Sequence, residues 1–404
     1  MTFKRKKFVL DVLLNIIASY LPLMFLHMAV NPFFAQHMLP DEYGQMLVVI
    51  SIMTMLISAF GGSLHNVRLL LDLKYCENEL SGDFNMVLLF LICLASVLSV
   101  LVVFFYRFGY DYLALALFSL IVVVGIMREY FIVSFRLRLN FGMIALSSAI
   151  LMAGYYLGYL FFTKSGKWEL VYIIGYSFST IFIITHSSLP KEPFMKTKFF
   201  WDTAHTTAIL LVSNFLSSTA FYIDKLLLFP VIGGTLVSVY YTATLLGKII
   251  MMGISPLNSV MLSYFAKMKT LTVKVFISIL GFATVVGLAG YLICITISRP
   301  VLTFLYPLWA DEAMQYIHIT TATAVIAMLC GVLSPMVLKF RSTVWQIIVH
   351  GVNLFAFVFI SLMLLFNYGL MGFCIGALIC GIIKLIMLLL IYIKSNGEIQ
   401  IGQE

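Results

Sequence analysis

Charge is scarce in this sequence. Asp, Glu, Lys and Arg make up 10% of its 404 residues, against 62% hydrophobic. Soluble domains carry about a quarter charged residues, so a soluble globular fold is excluded. The signatures of common catalytic sites are missing too: no phosphate-cradling GxxxxGK loop, no HExxH and no GxSxG occurs. Cysteine is sparse, with Cys76, Cys93, Cys294, Cys330, Cys374 and Cys380, and no two form a CxxC pair. Five of them lie in apolar segments, so the simpler reading is small buried hydrophobes rather than a disulfide framework or a zinc site. No catalytic residue, metal or cofactor is implied. The net charge of +8 does not argue for a nucleic-acid partner, because membrane proteins collect Lys and Arg on their cytoplasmic side.

What the sequence has is apolar length. Windows long enough to cross a bilayer, roughly 20 residues each, fall near 8–30, 45–62, 86–106, 112–132, 143–162, 170–187, 206–229, 236–262, 273–297, 314–337, 343–366 and 369–393. The opening MTFKRKKFVL resembles the basic region of a signal peptide. The apolar run continues to Val30 without a small-residue cleavage site, which predicts an uncleaved first span. With the N-terminus inside, only Arg107, Lys164, Lys167 and Arg299 of the 25 basic residues face outward, and Lys225, Lys248 and Lys384 lie within spans. The other 18 fall on the inner side, which predicts a multi-pass protein with both termini cytoplasmic. The outer loops, about 5–16 residues long, are too short to assemble an enzyme site by themselves.

The longest inner connection, SLPKEPFMKTKFFWDTAH at 188–205, separates six windows from six. It predicts a first bundle over 1–190, a cytoplasmic linker over 191–205 with an amphipathic piece on the inner leaflet, and a second bundle over 206–404. The fold class expected is an all-α polytopic membrane protein of twelve transmembrane helices, in two six-helix bundles around a central cavity. A faint echo supports the halving: PFFAQHMLPDEYGQMLVVISIM from Pro32 aligns without gaps on KLLLFPVIGGTLVSVYYTATLL from Lys225.

Two stretches carry a family resemblance. LPDEYGQMLVVISIM resembles a signature at the second span of the polysaccharide transporter family, and YIDKLLLFPVIGGTLVSVYYTATLL resembles that family's second-half signature. Lys225 stands where Arg is common, and no Gly-Leu-Tyr follows Gly233-Gly234. The family belongs to the multidrug, oligosaccharidyl-lipid and polysaccharide exporter superfamily and includes the Wzx-type O-antigen and capsule flippases. The lipid II flippase branch carries two further spans. The resemblance implies a flippase for undecaprenyl-pyrophosphate-linked oligosaccharide in the bacterial inner membrane, surrounded by membrane lipids and working beside polysaccharide polymerase and chain-length proteins.

Such a cargo needs a polar, basic cavity. Ionisable groups inside a membrane are costly and usually face a protein interior or water, so the candidates for a cavity lining are Lys225, Lys248 and Asp224, with His27, Asn15 and Asn31 from the first span. The bland alternatives are snorkelling for Lys225, charge balance for Asp224, and simple hydrogen bonding for His27; Lys248, about a dozen residues from either span end, cannot readily snorkel. Pro22 is expected to kink the first span. Arg68, Arg128 and Arg136, with Arg138, are candidates for a cytoplasmic entrance that draws in anionic head groups, or else simply set topology. Tyr155, Tyr156, Tyr159, Tyr222, Tyr240 and Tyr241 could stack on sugars or form packing and interfacial belts. A drug/cation antiporter would want deep acidic groups instead, and a membrane-embedded polymerase would want a long outer loop.

Overall fold

The computed structural model describes residues 14, 17, 18, 20–106, 112–252, 273–340 and 343–401, apart from some side chains inside helices. Asn15 lies outside them. Among the described residues there are helices and connections and no strand. In chain order the α-helices are α1 (Asn31–His37), α2 (Pro40–Leu56), α3 (Gly62–Glu77), α4 (Asp83–Tyr106), α5 (Tyr112–Phe131), α6 (Val133–Leu137), α7 (Phe141–Ser165) and α8 (Glu169–His186). They continue with α9 (Phe200–Met252), α10 (Val273–Leu305), α11 (Ala310–Met314), α12 (Ile317–Phe340) and α13 (Thr343–Ile401). With no water in hydrocarbon to satisfy backbone groups, helices are the expected way to span it.

Nine helical segments among the described residues are long and apolar enough to cross a membrane. Two of these, of 50 and 45 residues, are broken by glycines with positive φ, Gly233 at 78° and Gly369 at 61°. Each therefore holds two spans, split where the sequence predicts a boundary. Another departs from expectation. Pro40–Glu77 runs as one helical stretch of 38 residues, about 57 Å long at 1.5 Å per residue, well past the predicted end at residue 62. It continues through a π-helical turn at Ile57–Gly61.

Contacts divide the chain into two compact units: Met1–His37 with Gln45–Leu226, and Met38–Gly44 with Leu227–Glu404. In the first, α7 and α8 pack closely because small residues meet. A Cβ on Gly154 would lie 2.7 Å from the Cα of Gly175, and one on Gly158 would lie 2.5 Å from the Cα of Val171. Backbone approach of this kind is how helices gain packing energy without a hydrophobic driving force. In the second unit the core joins Phe276 of α10, Met328, Leu333 and Met336 of α12, and Leu388 and Tyr392 of α13; the Phe276 and Tyr392 rings stack at 3.7 Å. Large apolar side chains also point outward, including Phe104, Phe282, Phe304 and Phe355, as suits helices whose outer surface meets lipid.

Residues 188–199 form an ordered strap. After the 3-10 turn Leu189–Lys191 the chain runs without helix until Phe200. Polar groups of the strap bond to side chains of α3 and α4: Glu192 to Arg68, the Leu189 and Glu192 carbonyls to Asn85, and the Thr197 N–H to Asp83.

Candidate functional site

The two stretches that carry the family resemblance meet inside the second unit. Asp41, in the first turn of α2, accepts the backbone N–H of Gly234 at 2.8 Å. This supplies a partner to an amide just past the break in α9, where a restarting helix leaves donors unmatched. The approach is too close for side chains: a Cβ on Gly44 would lie 1.9 Å from the Gly234 carbonyl oxygen, and one on Gly234 would lie 2.3 Å from that of Asp41. Ser238 Oγ sits 3.1 Å from the Pro40 carbonyl oxygen. Tyr43 stacks on Trp309 at 5.1 Å, and Tyr241 meets Tyr306 edge-on. Burial pushes the Tyr306 phenol, just beyond the end of α10, well above its ordinary value, keeping it neutral. The signatures therefore build a chain joint. Asp41 and Gly234 are 193 residues apart, the offset of the internal echo, so positions the echo equates are in contact.

In the first unit Asp224 and Lys225 are both buried. Lys225 Nζ donates to Ser51 Oγ at 3.1 Å, while Ser51 gives its own proton to the Leu47 carbonyl. The ammonium also lies 5.6 Å from the centre of the Tyr222 ring. Lys225 therefore does not snorkel. Its charge is held in the protein interior by a hydroxyl and a ring face, and a buried charge needs such partners. Asp224 turns back to accept the Lys225 backbone N–H at 2.9 Å. Lys248 belongs to the second unit; it is half-buried, with Nζ 6.0 Å from the centre of the Tyr240 ring.

His27 and Asn31 come together at 3.5 Å on a π-helical turn, Leu26–Val30, where the Asn31 N–H reaches back five residues to Leu26. The loosened turn lies beside Pro32, whose missing N–H removes the regular bond to residue 28; the disturbance is thus beyond Pro22, where a kink is expected from sequence. Asn31 is buried.

The arginines differ from one another. Arg68 is buried, with its guanidinium in a two-point pair with Glu192 at 2.8 Å for each contact, a third bond to Asp72 and the Phe84 ring beneath it at 4.4 Å. Its charge is matched by the protein's own carboxylates, which makes it a clamp on the strap. Arg128 donates to Ser179 Oγ at 3.0 Å, and Ser179 donates on to the Ser147 carbonyl. Arg138 bonds Ser188. Arg136 has a buried Nε with no hydrogen-bond partner among the described residues. Of the tyrosines, Tyr155, Tyr240 and Tyr241 are buried and pack as core, whereas Tyr156 is exposed.

Ser51, Glu192, Asn85 and Asp83 were not among the sequence candidates. In the sequence Glu192 is an acid amid lysines of the linker, and Ser51 is one serine among many. No group of three or more His, Cys, Asp or Glu able to hold a metal occurs among the described residues.

No protein-family model matches the sequence, and no curated protein matches it. Solved structures do match in fold. An inward-facing multidrug resistance MATE family transporter of the MOP superfamily aligns with TM-score 0.64 at 12% identity, over 95% of this chain and 99% of that one. The lipid II flippase MurJ, in an inward closed conformation, aligns with TM-score 0.62 at 14% identity, over 98% of this chain and 88% of MurJ. The Vibrio cholerae MATE transporter VcmN, in its bent form, aligns with TM-score 0.59 at 15% identity, over 96% of both chains. The chain thus has an all-α polytopic membrane fold shared with transporters and a flippase.

Proposed function

We propose that the protein is a flippase that moves undecaprenyl-pyrophosphate-linked oligosaccharide repeat units, of O-antigen or capsule type, across the bacterial inner membrane by alternating access. The observation that carries this reading is the sign of the charge within the six windows after residue 206, where Asp224 is the one carboxylate against Lys225, Lys248 and Lys384, with Lys274 at a window's edge. A lysine ammonium suits a pyrophosphate as a compact point charge, and the fold is one that a lipid II flippase uses. Lys248, half-buried, is the group we assign to the head-group contact; Lys225, buried against Ser51, adds positive charge within the first unit.

The test is deletion of the gene followed by assay of lipid-linked repeat units on each face of the membrane. Accumulation on the inner face, with rescue by the wild type and none by Lys248→Ala at equal protein level, is the expected result; an unchanged distribution would refute the reading. The second reading, a multidrug or cation antiporter, draws on the MATE likeness. It predicts instead that deletion sensitises cells to cationic drugs and leaves lipid-linked glycans unaffected.

The membrane potential contributes about 2.3 kcal/mol per charge per 100 mV, so an anion carrying two uncompensated charges leaves a negative interior with roughly 4–5 kcal/mol of assistance per 100 mV. Flipping in proteoliposomes is expected to quicken with an inside-negative potential. A rate that ignores potential and follows a proton or sodium gradient would rule out that scheme.

A further inference from the structure

The strap and the first turn of α9 sort their charges by side. Facing the first unit, Glu192 pairs with Arg68, the Asp83 carboxylate takes both the backbone N–H and the hydroxyl of Thr197, and Asp202 pairs with Lys74. Asn85 donates to the carbonyls of Leu189 and Glu192, and Gly82 leaves no room for a Cβ beneath the Pro193 and Met195 carbonyls. The acids are thus all turned inward or paired.

The opposite face keeps what remains. Phe194, Met195 and Trp201 are 65%, 56% and 71% exposed, and the strap lysines Lys191 and Lys196 are exposed as well. Neither lysine has a carboxylate within ion-pair distance among the described residues. Lys196 Nζ lies 4.7 Å from the Trp201 ring centre and 5.1 Å from that of Phe200, which sets a cation beside an exposed indole. Amphipathic rings and ammonium groups side by side are the composition of a membrane interface facing anionic lipid. Apolar side chains this exposed would be costly in water; their insertion in lipid and the uncompensated positive charge complement an acidic bilayer surface.

We propose that this face binds the head group of an anionic membrane lipid, with Lys191 and Lys196 at its phosphate and Phe194, Met195 and Trp201 in the adjoining acyl boundary. The assignment stands whatever cargo the protein carries.

Full-length protein in phosphatidylcholine nanodiscs doped with equal small fractions of brominated phosphatidylglycerol or brominated phosphatidylcholine tests it by tryptophan quenching. The difference between wild type and Trp201→Phe isolates the Trp201 signal. The expected result is stronger Trp201 quenching by the brominated anionic lipid, an enrichment of about fivefold for each lysine, abolished in Lys191→Gln/Lys196→Gln and restored by the double Arg variant. Equal quenching by the two lipids would reduce the face to an unspecific interface. Quenching by neither would show that it meets water or a protein. Either outcome overturns the proposal. Native mass spectrometry of the wild type gives a readout independent of any variant: retained phosphatidylglycerol in preference to phosphatidylcholine supports it, and no preference refutes it.

Discussion

Two places in this molecule hold distant stretches of chain together, and they do so by opposite means. At the strap of the first unit the contact is electrostatic: Arg68 grips Glu192, and Asp83 grips Thr197. At the joint of the second unit the contact is steric: Gly44 and Gly234 touch through bare backbone, with the single carboxylate of Asp41 supplying one hydrogen bond. The difference teaches what a recognisable motif signifies. The stretch that resembles a family signature, Pro40–Gly44, owes its residue types to close approach and capping, whereas the candidate contact with cargo, Lys248, lies outside the most tightly packed part.

The largest effect is expected at the steric joint. Gly44→Ala places a methyl 1.9 Å from a backbone oxygen, which no rotamer change relieves. A loss of more than about 4 kcal/mol is expected, read as disappearance of the monodisperse peak in size-exclusion chromatography. Normal accumulation with an unchanged melting temperature would break the comparison. At the strap, Glu192→Ala leaves Arg68, whose side chain is 8% exposed, with Asp72 as its remaining carboxylate partner, and should cost about 2 kcal/mol in thermal unfolding. Replacing both partners, as Arg68→Met with Glu192→Leu, should recover much of the loss, because what destabilises is a buried charge only partly matched. The joint has no such second-site remedy. If the double variant is no better than the single, the strap is not held electrostatically.

A smaller effect separates space from conformation. Gly369 has φ 61° with nothing within 4 Å of an added Cβ. Gly369→Ala should therefore cost only the backbone strain, about 1–3 kcal/mol, and lower the melting temperature without abolishing folding. Smallest in stability is Lys248→Ala. Removing a half-buried lysine outside the core should change stability by no more than about 0.5 kcal/mol while abolishing transport. A variant with normal transport would remove Lys248 from the site.

Much of the fold was legible. Among the described residues hydropathy located the spans, and the broken helices split at Gly233 and Gly369, near where the apolar windows part; most of the expected first span lies outside the described residues. Hydropathy failed at Pro40–Glu77, where Arg68, Asp72, Lys74 and Glu77 end the apolar window at 62 although the helix continues. A helix needs only its own backbone bonds, and its charges here are satisfied by the strap or placed at the polar end. The candidate site was less legible. Lys225 could be picked out as an intramembrane ion, but its partner Ser51, 174 residues away, is one serine among many. Arg68 and Glu192 read alike as inner-side charges until folding set them 2.8 Å apart.

The sequence by itself determined that this chain lives in a bilayer as a stack of helices, because a lipid solvent leaves few other ways to satisfy a backbone, and each span carries its own apolar length. Only the tertiary structure decided that Met38–Gly44 leaves its neighbours to pack with the second unit, that Lys225 is sheltered and that Arg68 is clamped. Those outcomes depend on residues far apart in the chain meeting at distances of a few ångströms, and no local pattern encodes that.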